Sequence, residues 1–239
     1  MRYLFLFGLS FFSATVQTVT GFGYGIIVMS VLPLFLPMEQ ALAIATVMSL
    51  CLNAAILSRR WRSVQLKLVW LPTLCAALGA FGGLVLIAGH PSPVYRRVLG
   101  VFLLLLAGWF IWLSDRVRLR PTLASSAVAG VAAGVCGGLF SISGPPMVLY
   151  YVSILHDIER YMATTQLFFL LHNVFLITMR GALHLWPHGI AAPCMAALGG
   201  LLCGCFLGGL IFRRADQKKI KRGVYLMMAL SGLCIALGL

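Results

Sequence analysis

The sequence predicts an all-α polytopic membrane protein made of two inverted repeats. Each repeat is expected to hold a broken or re-entrant helical hairpin followed by three transmembrane helices. Three observations predict this fold: the apolar composition, an internal duplication, and a helix break in each half. Of the 239 residues, 61% are hydrophobic and only 10% are charged, with a mean hydropathy of +1.00. This composition argues against a soluble domain and is typical of a chain with several membrane spans.

The charge balance points to a lipid bilayer as partner. The net charge is +13, from 18 Lys and Arg against 5 Asp and Glu. In a soluble protein this excess would suggest nucleic acid, but here the basic residues cluster in short loops, where they orient a chain in a membrane. We therefore expect no nucleic-acid partner. The seven cysteines lie in apolar segments without a CxxC pair, so the sequence predicts no disulfide framework, metal site or cofactor.

The chain is an internal duplication with an offset of 120 residues. The segment CAALG at 75–79 recurs as MAALG at 195–199, and the same offset pairs Asn53 with Asn173. We therefore expect a first transmembrane repeat at 1–120 and a second at 121–239, joined in one integral membrane domain.

Each repeat begins with a broken apolar element and continues with three ordinary spans. About eight hydrophobic segments follow from this plan. They are 2–36, 39–58, 66–89 and 96–114 in the first repeat, and 122–154, 161–180, 188–212 and 223–239 in the second.

The two breaks are unusual sequences for the interior of a membrane element. The first is GFGYG at 21–25, and the second is GGLFSISGPP at 137–146. Glycine and a double proline interrupt a helix, because proline has no N–H and restricts the residue before it. Broken backbone at membrane depth is tolerated only where protein buries it or a wet cavity receives it. Half-helix N-termini at such breaks suit anionic groups, so we expect a small anion to bind there.

Loop charges decide how the broken elements sit. The element 2–36 would reach roughly 50 Å as one helix, against a hydrocarbon core of ~30 Å. Either it bends while crossing, or it re-enters as a hairpin. If both broken elements cross the membrane once, nine basic loop residues lie on each side of it. If both are hairpins, fourteen basic loop residues, including Arg180, lie on one side and four on the other. The positive-inside rule favours hairpins, which invert the two repeats and place both termini in the periplasm.

These features resemble the sulfite exporter TauE/SafE family over essentially the whole chain. The glycine-rich first break, the GGxxxxxGPP second break, and the asparagine-bearing helix after each break carry the resemblance. It implies a secondary transporter, not an enzyme, that moves small sulfur-containing anions such as sulfite or organosulfonates across the bacterial inner membrane as an exporter or permease.

The breaks depart from the common pattern of that family. Where adjacent glycines are frequent, the first break alternates glycine with Phe22 and Tyr24, and the second carries Ser141 and Ser143. Both departures narrow the pocket or add hydroxyl groups.

The candidate substrate-binding residues lie at a break or in the helix after it. They can offer backbone N–H, hydroxyl or amide donors, although the hydroxyls could equally satisfy freed backbone groups and the amides could equally link helices. They are Thr20, Gly21, Gly23, Gly25, Asn53, Ser141, Ser143, Gly144, Gln166 and Asn173.

His172 is the one histidine deep in a predicted span and is the candidate for proton coupling. An interhelical hydrogen bond is the alternative role. No Asp or Glu falls deep in a predicted span, so the sequence predicts neither a carboxylate proton relay nor a carboxylate-ligated sodium site.

Other functions remain open at this point. An anion channel would have the same lining, and the transported molecule could be another small organic anion. A membrane enzyme would need a clustered nucleophile, base and acid, which the sequence does not offer. An assembly subunit is a further alternative, and the sequence is compatible with a homo-oligomer.

The charge asymmetry leads to a prediction about topology. A reporter active only in the periplasm should be active when fused after Leu239 and silent when fused at Lys218, because the basic loop at 213–222 is expected on the cytoplasmic side. The reverse result at either position would contradict the hairpins and the inverted repeat together.

Overall fold

The structure, a computed structural model, describes residues 1–88, 92–112, 120–212, 229–230 and 232–237. In these residues it contains helices and connecting turns, and no strand. The helices are α1 (Arg2–Thr20), α2 (Tyr24–Phe35), α3 (Met38–Ser58), α4 (Trp70–Ala88), α5 (Ser92–Trp112), α6 (Leu123–Phe140), α7 (Gly144–Ile154), α8 (Ile158–Ala182) and α9 (Ala191–Ile211).

The predicted all-α polytopic membrane fold is confirmed. By length and composition, the described residues include six helical segments that can cross a membrane. They are Arg2–Thr20, Met38–Ser58, Leu66–Leu86, Leu123–Phe140, Ile158–Ala182 and Ala191–Ile211.

Both predicted breaks are present, and both use the same backbone device. α1 is followed by Gly21 with φ 87°, and α6 is followed by Ser141 with φ 55°. The N–H of Gly21 bonds to the carbonyl of Gln17 at 2.8 Å, and the N–H of Ser141 bonds to that of Gly137 at 2.9 Å. A left-handed residue of this kind ends a helix while keeping its last carbonyls bonded. Ser141, unlike Gly21, adopts this conformation at a cost of about 1–2 kcal/mol.

The second arm of each broken element is short. α2 has 12 residues and α7 has 11, which correspond to about 18 Å and 16 Å at 1.5 Å per residue. Neither arm can cross a hydrocarbon core of ~30 Å alone. The side of the membrane to which each arm returns stays a prediction.

The first helix of each half packs along a helix of the other half. α1 lies against α9, and α6 lies against α4, while α3 and α8 pack together in the centre. Small residues permit these contacts: a Cβ at Gly204 would overlap the backbone of Phe11, and one at Gly134 would overlap the backbone of Ala76. Close backbone approach at glycine is the usual way for membrane helices to pack.

The predicted element boundaries hold with local shifts. α4 begins at Trp70 instead of residue 66, because Leu66–Leu68 forms a separate 3-10 turn before it. Most of the predicted last span, 223–239, lies outside the described residues, whose part of it, 229–230 and 232–237, is helical. The basic loop at 213–222, including Lys218, also lies outside them.

The assignment of Arg180 to a loop is wrong. Arg180 lies inside α8, and its side chain is only 2% exposed. A buried charge of this kind is not a surface orientation signal, so the charge count on the side predicted to be cytoplasmic falls by one residue.

The packing of α6 on α4 gives a testable prediction. Gly134→Ala should lower the free energy of unfolding by about 1–3 kcal/mol, because the added methyl would overlap the backbone of Ala76. Gly82→Ala on α4 is the matched control, since nothing lies within 4 Å of a Cβ at that exposed position. Unfolding of the purified protein in detergent measures both changes. Equal stability of the two variants would contradict the close approach of α4 and α6.

Candidate functional site

A cavity of about 350 Å³, including the space at its mouth, lies where the two breaks meet. The lining residues come from both breaks and from the helices that follow them. They are Gln17, Phe22, Gly23, Gly25, Ile26, Ser49, Asn53, Ser141, Ile142, Ser143, Gly144, Phe169 and Asn173.

The two breaks are in direct contact. A Cβ at Gly25 would lie 2.7 Å from the carbonyl oxygen of Ser141, so only glycine lets the N-terminus of α2 approach the second break this closely. On the other side, a Cβ at Gly144 would lie 3.7 Å from the Cβ of Phe22, which is ordinary contact distance. The wall of the cavity is therefore shared between the two halves.

A chain of side-chain amides holds the first break. Gln17 Oε1 accepts from the N–H of Tyr24 at 3.0 Å, while Gln17 Nε2 donates to Asn53 Oδ1 at 2.6 Å and to Gln166 Oε1 at 3.2 Å. Gln166 Nε2 then donates to the carbonyl of Gly21 at 2.7 Å. A backbone N–H only donates and a carbonyl only accepts, so the two ends of this chain fix the orientation of every amide between them.

Several donors in the lining are left without partners. Because Gln17 holds the oxygen of Asn53, the NH₂ group of Asn53 remains available at the cavity. Within the described part of the chain, the side chains of Asn173, Ser143 and Ser49 make no hydrogen bond, and all three line the cavity. The cavity therefore presents polar groups that can bind a ligand.

The helix ends add partial positive charge. The residues that precede α2 and α7, Gly23 and Ser143, both line the cavity, so two helix N-termini face it. Each helix N-terminus carries about half a positive charge and amide groups with no partner inside the helix, of which Tyr24 N–H is taken by Gln17. Pro145 and Pro146 have no N–H, so α7 offers fewer of these donors than α2.

The structure brings seven of the ten candidate residues to the cavity. These are Gly23, Gly25, Asn53, Ser141, Ser143, Gly144 and Asn173. The other three lie behind the wall: Gln166 bonds to Gly21 as described, and Thr20 Oγ1 lies 2.9 Å from the carbonyl of Val16 and 2.7 Å from that of Phe22. Both side chains satisfy carbonyl groups that the break releases.

His172 does not line the cavity. Its ring stacks on Phe168 with centroids 5.8 Å apart, and a Cβ at Gly137 would overlap its Nε2. Neither ring nitrogen has a hydrogen-bond partner among the residues that the structure describes. Its role in coupling stays a prediction.

Two residues at the site were missed by the sequence reasoning. Gln17 is a polar residue one turn before the left-handed Gly21, and the available signal was an amide inside an apolar segment, which needs a partner. Arg180 was taken for a loop charge, yet its Nη2 donates to Ser141 Oγ at 3.4 Å. Its position seven residues after Asn173, on the same face of α8, was the available signal.

Comparisons with known proteins agree with the resemblance. The family model described as "Sulfite exporter TauE/SafE" matches residues 6–235. A curated protein of Cupriavidus necator named "Probable sulfite/organosulfonate exporter TauE" is 28% identical over 149 residues, which cover 56% of this chain and 55% of that protein. The chain thus spans about half the length of that relative. No solved structure matches the chain. Because the family model covers nearly the whole sequence, this chain belongs to the sulfite exporter TauE/SafE family.

Proposed function

We propose that the protein is a secondary carrier of small sulfur-containing anions, such as sulfite or organosulfonates, across the bacterial inner membrane. One observation carries the proposal: two helix breaks share a small cavity whose lining offers unpaired donors and two helix N-termini. Membership of the family and the printed name of the relative from Cupriavidus necator support the substrate class.

The chemistry of the lining supports an anion as the substrate. Asn53 and Asn173 can each turn an NH₂ group toward a ligand, and Ser49 and Ser143 have free hydroxyls. No Asp or Glu is present among the lining residues. Sulfite and sulfonate oxygens are acceptors, so they complement this set of donors without leaving a buried polar group unpaired.

A carrier mechanism fits the arrangement of the two halves. We take residues 1–120 and 121–239 as inverted repeats whose breaks meet at the site, with both termini in the periplasm. The matching left-handed residues, Gly21 and Ser141, and the packing of α1 on α9 and α6 on α4 support this arrangement. Repeats of this kind expose a central site to one side of the membrane at a time by moving against each other.

Transport by the reconstituted protein tests the function. Proteoliposomes should show saturable flux of sulfite or sulfoacetate, with thiosulfate and sulfate as comparison substrates, and external substrate should accelerate release of internal substrate by counter-exchange. Flux that neither saturates nor exchanges would identify a channel. Absence of flux for all four anions would refute the proposed function.

Filling the cavity at Gly144 should abolish that flux. The heavy atoms nearest to a Cβ at this position belong to the side chains of Phe22 and Phe169, at 3.7 and 3.8 Å, so the first carbon of Gly144→Leu enters the cavity without overlapping the backbone. Gly8→Leu is the control, because nothing lies within 4 Å of a Cβ at that exposed glycine. Gly23→Leu should also abolish flux, but its φ of 119° adds backbone strain, so Gly144 is the cleaner position. Normal flux through the Gly144→Leu protein would remove the cavity from the mechanism.

Removing the amide of Asn173 should weaken substrate binding. Loss of one donor to a partly desolvated anion costs on the order of 1.5–3 kcal/mol, which is roughly ten- to a hundredfold in affinity. Thr178→Ala is the control on α8, since the hydroxyl of Thr178 is exposed and bonds only within its own helix. Asn53→Ala should act in the same direction and, in addition, leaves one hydrogen bond of Gln17 unmade.

Sulfite affinity of the purified variants decides between ligand binding and helix packing. If Asn53→Ala and Asn173→Ala both stay within about threefold of wild type and remain folded, the asparagines are structural, since a membrane hydrogen bond between helices averages only about 0.6 kcal/mol.

A further inference from the structure

Arg180 is a buried charge that no carboxylate among the described residues neutralises. Its side chain is 2% exposed, and its Nε has no hydrogen-bond partner among the described residues. In the same part of the chain the structure contains a single ion pair, between Arg60 and Glu159 at 2.9 Å, and no carboxylate pairs with Arg180. Burying an unpaired charge is strongly unfavourable, so a side chain of this kind needs a partner.

The guanidinium of Arg180 is directed at the second break. Its Nη2 donates to Ser141 Oγ at 3.4 Å, and Ser141 lines the cavity. Ser141 Oγ lies 2.9 Å from Thr46 Oγ1, which in turn donates to the carbonyl of Leu42 at 2.7 Å. Ser141 can therefore accept from Arg180 while it donates to Thr46, so the serine is held on both sides.

Two other roles do not account for this placement. Arg180 lies in the last turn of α8, where a positive charge stabilises the helix dipole, but an exposed arginine would do this without burial. An orientation signal for membrane insertion also acts from the surface. Neither role explains why the side chain turns inward to a residue 39 positions away in sequence.

We propose that Arg180 supplies the positive counter-charge for the anion in the cavity and sets the preference of the site for charged over neutral ligands. This inference rests on the proposed function. The lining residues carry no charged side chain, so the charge of the substrate must be balanced from behind the wall. The hydroxyl hydrogen of Ser141 is already donated to Thr46, so an anion would pack against Ser141 without a hydrogen bond from it. At van der Waals contact with Ser141, such an anion would lie within roughly 6–7 Å of the Arg180 guanidinium, by adding the contact distance to the distance from Arg180 to Ser141.

At such a separation the interaction is large. For charges roughly 6 Å apart in a partly buried site, loss of the cation corresponds to a fall in affinity of roughly ten- to a hundredfold. The effect depends on the charge of the ligand, whereas a purely structural role of Arg180 does not.

A pair of probes that differ in charge provides the test. Methanesulfonate and dimethyl sulfone have similar size and both present sulfonyl oxygens, but only the first is an anion. Their affinities for the purified full-length protein in detergent are measured by titration calorimetry. The variants are Arg180→Gln and Arg180→Lys, and Arg160→Gln is the matched control because Arg160 is exposed on the same helix.

We expect Arg180→Gln to bind methanesulfonate at least tenfold more weakly than wild type, with little change for dimethyl sulfone. Arg180→Lys should retain most of the affinity, and Arg160→Gln should equal wild type. If dimethyl sulfone binds none of the proteins, the difference between the glutamine and lysine variants decides the question. Arg180→Met, which fills similar space, replaces the glutamine variant if that protein is not folded.

Three results would overturn the inference. Unchanged methanesulfonate affinity in Arg180→Gln would show that no counter-charge is needed. An equal loss for both probes, or an equal loss in the lysine variant, would show that Arg180 only positions Ser141. If wild type binds neither methanesulfonate nor sulfite, the proposed function itself fails, and the role of Arg180 falls with it.

Discussion

The structure depends on satisfying the backbone groups that two broken helices release inside a membrane protein. Water is scarce at that depth, and each unpaired group is costly. At the first break, Thr20, Gln17 and Gln166 bond to the freed carbonyl and N–H groups from three directions. At the second break, the N–H of Ser141 bonds to the carbonyl of Gly137 and the N–H of Ile142 to that of Cys136, while the hydroxyl of Ser141 donates to Thr46 on α3. Because these side chains hold the backbone, Asn173, Ser49 and Ser143 keep unbonded polar groups at the cavity in the described part of the chain.

The same constraint separates the supporting residues from the ligand-facing ones. Gln17 donates both of its amide hydrogens and accepts one bond, and so has no donor left for an anion. Asn53 accepts a hydrogen bond from Gln17 through its side-chain oxygen, which fixes the orientation of its amide and leaves its nitrogen free. An amide that is oriented before the ligand arrives loses less entropy on binding than one that must be ordered by it.

Much of the fold and part of the site could be predicted from the sequence. The positions of both breaks followed from glycine and proline chemistry, and the offset of 120 residues placed Asn53 and Asn173 together at one cavity. The direction in which individual side chains point was harder to predict. Neighbours on a helix differ by about 100°, so Asn173 can face the cavity while His172 faces Phe168 and α6. Whether an arginine at a helix end extends outward or turns inward, as Arg180 does, depends on distant residues, here Ser141.

The packing of α1 along α9 has a consequence for biogenesis. The hydroxyl of Thr15, which lies 2.8 Å from the carbonyl of Phe11 in its own helix, also lies 3.2 Å from the carbonyl of Gly204, 189 residues later in the chain. At a synthesis rate of about 5–20 residues per second, α1 enters the bilayer roughly 10–40 s before α9 exists. During that interval α9 is absent from the side of α1 that it later covers. That side of α1 and the break after it can contact only lipid, the translocon or the helices made before α9. The contact between α1 and α9 therefore forms late in synthesis, and until α9 has been inserted this side of α1 is exposed to misassembly and proteolysis.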